Sequence, residues 1–186
     1  MDINAAISGR RSTRDYTDQA VDDETIRRLI DAAVLAPSAS NEQPWTFTVV
    51  RDQALLDRIS HAAKSYLLAA LPAGPESDRR RARLTDGGFQ LFYHAPVLIL
   101  ISGSSQRPWV AENCALAAEN LMLAAYSSGL GTCWIGLAQG YLNTADGKGA
   151  LGLPSTWVPV APIIVGYPKT DTPPVARLEP EIRWVG

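Results

Sequence analysis

Histidine and cysteine are nearly missing from this 186-residue sequence, with two of each. Cys114 and Cys133 cannot build a disulfide framework and suit a reducing compartment. His61 and His94 stand far apart, and neither falls at a metal-ligand spacing with a cysteine, so no metal site is expected. A dominant charge is missing too. Seventeen Lys and Arg against nineteen Asp and Glu leave a formal charge of −2. That balance argues against a chain built to coat nucleic acid or an anionic membrane. The longest strongly apolar run, residues 95–101, is far shorter than the ~20 residues that span a bilayer. Met1-Asp2-Ile3-Asn4 lacks the basic-then-apolar layout of a signal peptide. The expectation is one domain over residues 1–186 in a soluble, cytoplasmic protein.

Several catalytic signatures are also missing. There is no Gly-x-Ser-x-Gly elbow. Gly147-Lys148-Gly149 has no upstream glycine for a P-loop. Gly129-Leu130-Gly131 lacks the third glycine of a dinucleotide fingerprint and follows a helix rather than a strand. A conventional hydrolase, kinase or Rossmann dehydrogenase is not written here.

What is present alternates between helix and strand signals. Residues 3–9 predict a short helix. Asp22 or Asp23 can cap a second, in which Ile26, Leu29, Ile30, Ala33 and Val34 recur at helical spacing before Pro37. Residues 46–50 predict a strand and 53–71 a helix, followed by a loop over 71–77 and a helical stretch over 79–94 interrupted by Gly87-Gly88. Residues 97–102 predict a strand buried on both faces. A second apolar strand, 159–165, carries two prolines, which favour an edge or a bulge. Between them, 110–128 predicts a helix whose polar residues form one narrow stripe through Glu112-Asn113, Glu119-Asn120 and Ser127-Ser128. A helix apolar around most of its circumference must be buried on nearly all sides. Either a second subunit or the rest of one monomer can do that. Beyond Tyr167-Pro168 the composition turns proline-rich and aperiodic, and Trp184 favours a tail pinned along a surface.

Three segments carry chemistry. Arg10, Arg11 and Arg14 flank Ser12, and guanidinium groups make bidentate, charge-assisted bonds to phosphate. The alternative is a solvated turn pairing with Asp15 and Asp18. Residues 36–45 join helix to strand through Pro37, Ser38, Ala39, Ser40, Asn41 and Gln43, whose hydroxyls and amides suit a polar ligand edge as well as an ordinary loop. Residues 129–136 offer backbone at Trp134, Ile135 and Gly136, since glycines permit close approach. The alternative there is a glycine helix cap and a short strand, with Cys133 as core filler.

In this order the segments resemble the nitroreductase family, and the resemblance covers most of the chain. It rests on Arg10-Arg11-Ser12-x-Arg14-x-Tyr16, Pro37-Ser38-x-Ser40-Asn41-x-Gln43-Pro44-Trp45 and Ala95-Pro96. It continues through Ala117-Ala118-Glu119-Asn120-Leu121, residues 129–136, Gly166-Tyr167-Pro168 and the late Arg177. The resemblance implies an α+β fold, a mixed central sheet surrounded by helices, with an extended C-terminal arm over about 167–186. It implies a homodimer holding FMN at its interface. Arg10, Arg11, Ser12 and Arg14 would meet the phosphate, joined by Arg177. Pro37, Ser38, Ala39, Ser40, Asn41 and Gln43 would reach the flavin of the other subunit, and Trp134, Ile135 and Gly136 would lie beside the isoalloxazine. Residues 86–91 carry no side chain matching the polar flavin contacts of better-known members.

The implied activity is ping-pong. NAD(P)H delivers a hydride to the flavin, then a nitroaromatic, quinone or other small acceptor takes it, with no catalytic side chain. A non-catalytic FMN-binding or storage protein, and a specialised dehydrogenase, dehalogenase or flavin-fragmenting member, are the other readings.

Overall fold

The computed structural model describes all 186 residues. Local capping chemistry sets where its helices begin. Asp2 accepts from Ala5 N at 2.9 Å and opens α1, Ile3–Gly9. Asp22, rather than Asp23, opens α2, Asp23–Ala33, accepting from Thr25 N at 2.7 Å. That backbone hydrogen bond, with a second from the Thr25 hydroxyl, holds the Asp22 carboxyl below its usual range. The first strand, β1, is Trp45–Val50, and Asp52 caps the helix that follows it, α3, Gln53–Ala70.

The segment after α3 departs from expectation. Helix α4 is Pro75–Thr85, so the loop shrinks to a few residues and the helix stops well short of residue 94. Pro75 sits at the start of the helix, where its missing N–H costs nothing and its φ is already helical. Asp86 Oδ1 accepts from Gly88 N at 2.9 Å, closing a turn that ends the helix.

The remaining elements are β2, Val97–Gly103; α5, Val110–Ser127; β3, Gly131–Trp134; α6, Gly136–Leu142; α7, Ala145–Ala150; and β4, Val158–Gly166. The strands form one sheet in the order β1-β2-β4-β3, with every neighbouring pair antiparallel. The mixed character expected of the sheet is confined to one parallel bridge between Ser12 and Thr132. Every residue of β2 is buried. Val97, Ile99 and Ile101 join α2 and α5 on one face, while Leu98 and Leu100 join α3 and α6 on the other. A helical layer on each side explains why the strand reads as unbroken apolar sequence.

Strand β4 is interior, not an edge, and its prolines are tolerated for two separate reasons. A bulge falls opposite the Ile101/Ser102 step, beside Pro159. The Pro162 carbonyl accepts from Ile135 N at 2.8 Å. In extended backbone the missing N–H of Pro162 faces the same side. There the Ile135 carbonyl is already taken by Ala138 N, at 3.0 Å. No acceptor is left unpaired, so the proline costs the ladder little.

Helix α5 packs against α2 and β4 within one chain, which accounts for much of its apolar circumference. Its polar stripe is split: Glu112, Ser127 and Ser128 are exposed, whereas the asparagines are not. Asn113 is buried and Asn120 donates to Ala32 O at 3.2 Å, so both asparagines face inward. The exposed strip holds Glu112 and Leu116. No helix is long and apolar enough to cross a membrane. After Pro168 the chain runs exposed, and Trp184 is 88% accessible, so nothing in its own chain pins it.

Candidate functional site

The arginine loop is stitched to the edge strand of the sheet. Thr13 N donates to Thr132 O at 2.9 Å, alongside the Ser12–Thr132 bridge. Tyr16 is buried, donates its hydroxyl to Thr13 O at 2.7 Å, and bridges to Pro168. Desolvation drives the Tyr16 phenol far above its ordinary range, so it stays a neutral donor. Glycine is required at 131 because a Cβ there would stand 2.5 Å from Thr13 Oγ1. The sequence suggested that this glycine brings backbone to a ligand; the structure shows that it brings β3 to the arginine loop.

Two of the guanidinium groups are under-satisfied. Arg10 Nε and Arg11 Nε are buried without a hydrogen-bond partner. Arg10 Nε lies 3.5 Å from Glu119 Oε1, an ion pair too long and poorly aligned to count as a hydrogen bond. Arg11 Nη1 folds back onto Ser8 O and Arg10 O, at 2.7 and 2.8 Å. Neither Asp15 nor Asp18 pairs with any arginine, so the solvated-turn alternative is not what the fold builds. Arg10 and Arg11 border a cavity of about 290 Å³ with Thr13, Tyr126 and Gly131. Buried donors without acceptors beside a cavity suit an anion.

Arg14 serves a different space. It lines a second cavity, of about 320 Å³, with Cys133, Trp134, Ile135 and Gly136. Of these backbone positions, the Ile135 amide is committed to Pro162. At Gly136 no atom lies within 4 Å of where a Cβ would stand, so that wall faces open space. Cys133 is 3% exposed and burial pushes its thiol up, as it pushes Cys114 up to about 12. Both are protonated core residues at neutral pH, not nucleophiles.

The same cavity gains two residues that the sequence did not single out. Arg83 on α4 donates from Nη2 to the Tyr93 hydroxyl at 2.9 Å, and its guanidinium lies 4.4 Å from the Phe89 ring centroid. Tyr93 and His94 both have φ of +52°, a conformation that side chains other than glycine's adopt at a cost of about 1–3 kcal/mol each. The arginine run 79–81 and 83 is plain in the sequence. Its tie to Tyr93 crosses the Asp86–Gly88 turn, which no periodicity announces.

The other loop sits elsewhere. A single 3₁₀ turn, Ala39–Asn41, follows Pro37 and Ser38. Ser40, Asn41 and Gln43 all have positive φ, of +51°, +54° and +48°. Ser38 Oγ accepts from Gln43 N, and Asn41 Oδ1 accepts from Gln43 Nε2, both at 3.0 Å. Ala39 N donates to Asn113 Oδ1 at 3.0 Å, in the first turn of α5, whereas the Arg10–Arg11 cavity lies against Tyr126 in the last. The thirteen residues from Asn113 to Tyr126 separate these anchors by about 20 Å along the helix axis. No hydrogen bond or ion pair joins the two loops in one chain. Trp45 is core, as the plainer reading of this segment held. Arg177 lies in the exposed arm and meets none of the other arginines.

Comparison with known proteins gives the family. The Nitroreductase family model matches residues 7–167. A protein of Archaeoglobus fulgidus named "Putative NADH dehydrogenase/NAD(P)H nitroreductase" is 34% identical over 168 residues, 87% of this chain and 83% of that one. The 5,6-dimethylbenzimidazole synthase of Rhodospirillum rubrum is 30% identical over 184 residues, covering 92% and 84%. Among solved structures, a nitroreductase with bound FMN from Desulfitobacterium hafniense superposes with a TM-score of 0.83 at 26% identity, over 100% of both chains. The arginine loop, the Ser38–Gln43 turn and the strand entering Gly136 all fall inside the matched span, and the chain belongs to the nitroreductase family.

Proposed function

We propose that this chain is an FMN-dependent oxidoreductase that takes reducing equivalents from NAD(P)H and passes them to a small acceptor, such as a nitroaromatic or a quinone. The observation that carries this reading is the pair of buried, unpartnered donors, Arg10 Nε and Arg11 Nε, beside a cavity at the edge of β3. They fit the dianionic end of FMN, with Ser12 adding a hydroxyl on the same loop. Arg14 and the Trp134–Gly136 wall would border the ring. When bound, FMN supplies the hydride and electron chemistry. The chain's own residues bind the phosphate, orient the ring and keep water from one face of it. No side-chain nucleophile is needed, in keeping with two protonated, buried thiols.

The site is best completed by a second copy. Ser38, Asn41 and Gln43 belong to a loop anchored about 20 Å along α5 from Tyr126 at the phosphate cavity, and no hydrogen bond or ion pair brings the two loops together within one chain. Ile3, Ile7, Leu35 and Leu116 are exposed, and so are Val175, Leu178 and Trp184 on the arm. Apolar residues displayed in such numbers mark an interface. In the homodimer, the Ser38–Gln43 loop of one copy reaches the flavin held by the arginines of the other, and the arm delivers Arg177 across the boundary.

The similarity to the Rhodospirillum enzyme supports a second reading, a specialised reaction on the same flavin scaffold. One experiment separates the readings. Purified protein loaded with FMN is expected to lose its visible flavin absorbance on anaerobic addition of NAD(P)H and regain it with a quinone. Absorbance that persists would favour a non-catalytic binder or a specialised reaction. Protein that stays colourless after incubation with FMN would contradict the proposal.

A further inference from the structure

Helix α4 displays four arginines, Arg79, Arg80, Arg81 and Arg83, and none forms an ion pair with a carboxylate. Arg79, Arg80 and Arg83 stand at i, i+1 and i+4, so their side chains share one side of the helix. They line a trough of about 610 Å³ floored by Leu71 and Pro72 and bordered by Ser77. Glu76 also borders it, which leaves the trough with a net positive lining.

Arg83 links this trough to the cavity walled by Trp134, Ile135 and Gly136, because it lines both. Its position is fixed from below by the Phe89 ring and from the side by the Tyr93 hydroxyl. The turn carrying Phe89 is held in turn by Lys64 Nζ, which donates to Asp86 O and Phe89 O at 2.8 and 2.7 Å. Only one of the five guanidinium donors of Arg83 is committed to a protein acceptor. From Arg83 the cationic surface runs about 6 Å along the axis to Arg79. A row of unpaired cations leading away from a ring-sized cavity is complementary to a ligand with a flat head and a phosphorylated tail.

We propose that the Arg79, Arg80 and Arg83 face of α4 receives the phosphate groups of the nicotinamide dinucleotide and directs its ring to the mouth of the cavity lined by Arg14, Tyr93 and Gly136, against the flavin held there. The inference rests on the flavin-reductase reading and adds to it the residues that select the reductant. The phosphates in question are the pyrophosphate, common to NADH and NADPH, or the ribose 2′-phosphate of NADPH alone.

The test uses the FMN-loaded protein and its Arg79→Ser/Arg80→Ser variant, both positions being exposed on the helix surface. Flavin bleaching is followed by anaerobic stopped flow with NADPH, with NADH, and with 1-benzyl-1,4-dihydronicotinamide, an uncharged hydride donor without phosphate. Calorimetry gives the affinity of non-reducing NADP⁺ independently of turnover. In the variant, the NADPH bleaching constant and the NADP⁺ affinity are expected to fall roughly tenfold, the scale of a charge-assisted contact near the surface. The benzyl donor is expected to react as fast as with the parent protein. An equal loss with NADH assigns the pyrophosphate to the trough; a loss confined to NADPH assigns the 2′-phosphate. Unchanged NADPH kinetics and NADP⁺ affinity would overturn the inference and leave the flavin reading standing. So would equal slowing of the benzyl donor, which would mark a structural role. A parent protein that neither NADPH, NADH nor the benzyl donor bleaches would overturn both.

Discussion

The loops at residues 10–16 and 37–44 are both short, polar and rich in donors, yet the fold holds them by opposite means. The first is welded to the sheet: Thr13 pairs with Thr132, Gly131 is bare to admit it, and Tyr16 closes over the join. The second is exposed from Ser40 to Gln43, bent by three positive φ angles, and tied to the body by single contacts: Ala39 N to Asn113, Glu42 to Arg107, and Pro44 O to Ser104 N. In the proposed reading the first loop is the seat for the phosphate and the second, exposed and bent outward, is the reader that meets the flavin of another copy.

The contrast can be broken most severely at Gly131. Gly131→Val places a branched side chain against Thr13 and is expected to cost about 1–3 kcal/mol of stability and to abolish FMN retention together. Thermal unfolding and the visible spectrum report the two effects. FMN retained at parental affinity would show that the loop does not need its weld.

Next in size is the seat itself. Arg10→Ala is expected to weaken FMN binding by about 1.5–3 kcal/mol, measured by fluorescence titration, with the melting temperature little changed. Arg14→Ala tests the ring cavity instead, and is expected to alter the flavin spectrum as well as the affinity, because Arg14 borders Trp134 and Gly136.

A smaller effect is expected at the reader. Asn113→Ala removes the acceptor for Ala39 N and should cost about 1 kcal/mol of stability. Proteolysis should then cut preferentially within residues 38–43. Ser38→Ala, which frees the exposed Gln43 N, should have the smallest effect on stability, about 0.5 kcal/mol. If both variants resist the protease as well as the parent, the loop is held by something other than these bonds.

The two loops also differ in how much of them was legible. The arginine cluster and the Asn-Gln turn stand out in composition, and the order of motifs carried the family. The helices with an Asp cap and apolar spacing, α2 above all, were readable for the same local reasons that form them. What failed to show was non-local. The prolines of β4 left an edge or a bulge open; the bulge is there beside Pro159, but the commitment of the Ile135 carbonyl to Ala138, which lets Pro162 sit in an interior strand, lies in another segment. Gly87-Gly88 marked an interruption near the end of α4, but that no helix resumes before His94 was not legible, because the Asp86–Gly88 turn and the positive φ of Tyr93 and His94 are set by contacts elsewhere. Asn113 and Asn120 read only as members of a polar stripe, since an asparagine on a helix declares its polarity but not its partner. Arg83 and Tyr93 were missed because they meet across that same turn.

The shared site can be tested directly by complementation. One variant loses the seat (Arg10→Ala/Arg11→Ala) and the other the reader (Asn41→Ala/Gln43→Ala). Each is expected to bind FMN weakly alone. After unfolding and refolding together in equal amounts, heterodimers should recover tight binding at roughly one site in four, because each pairs one intact seat with one intact reader. Titration giving no tight sites in the mixture, from variants that each bind weakly alone, would contradict the account and place both loops at the same flavin within one chain.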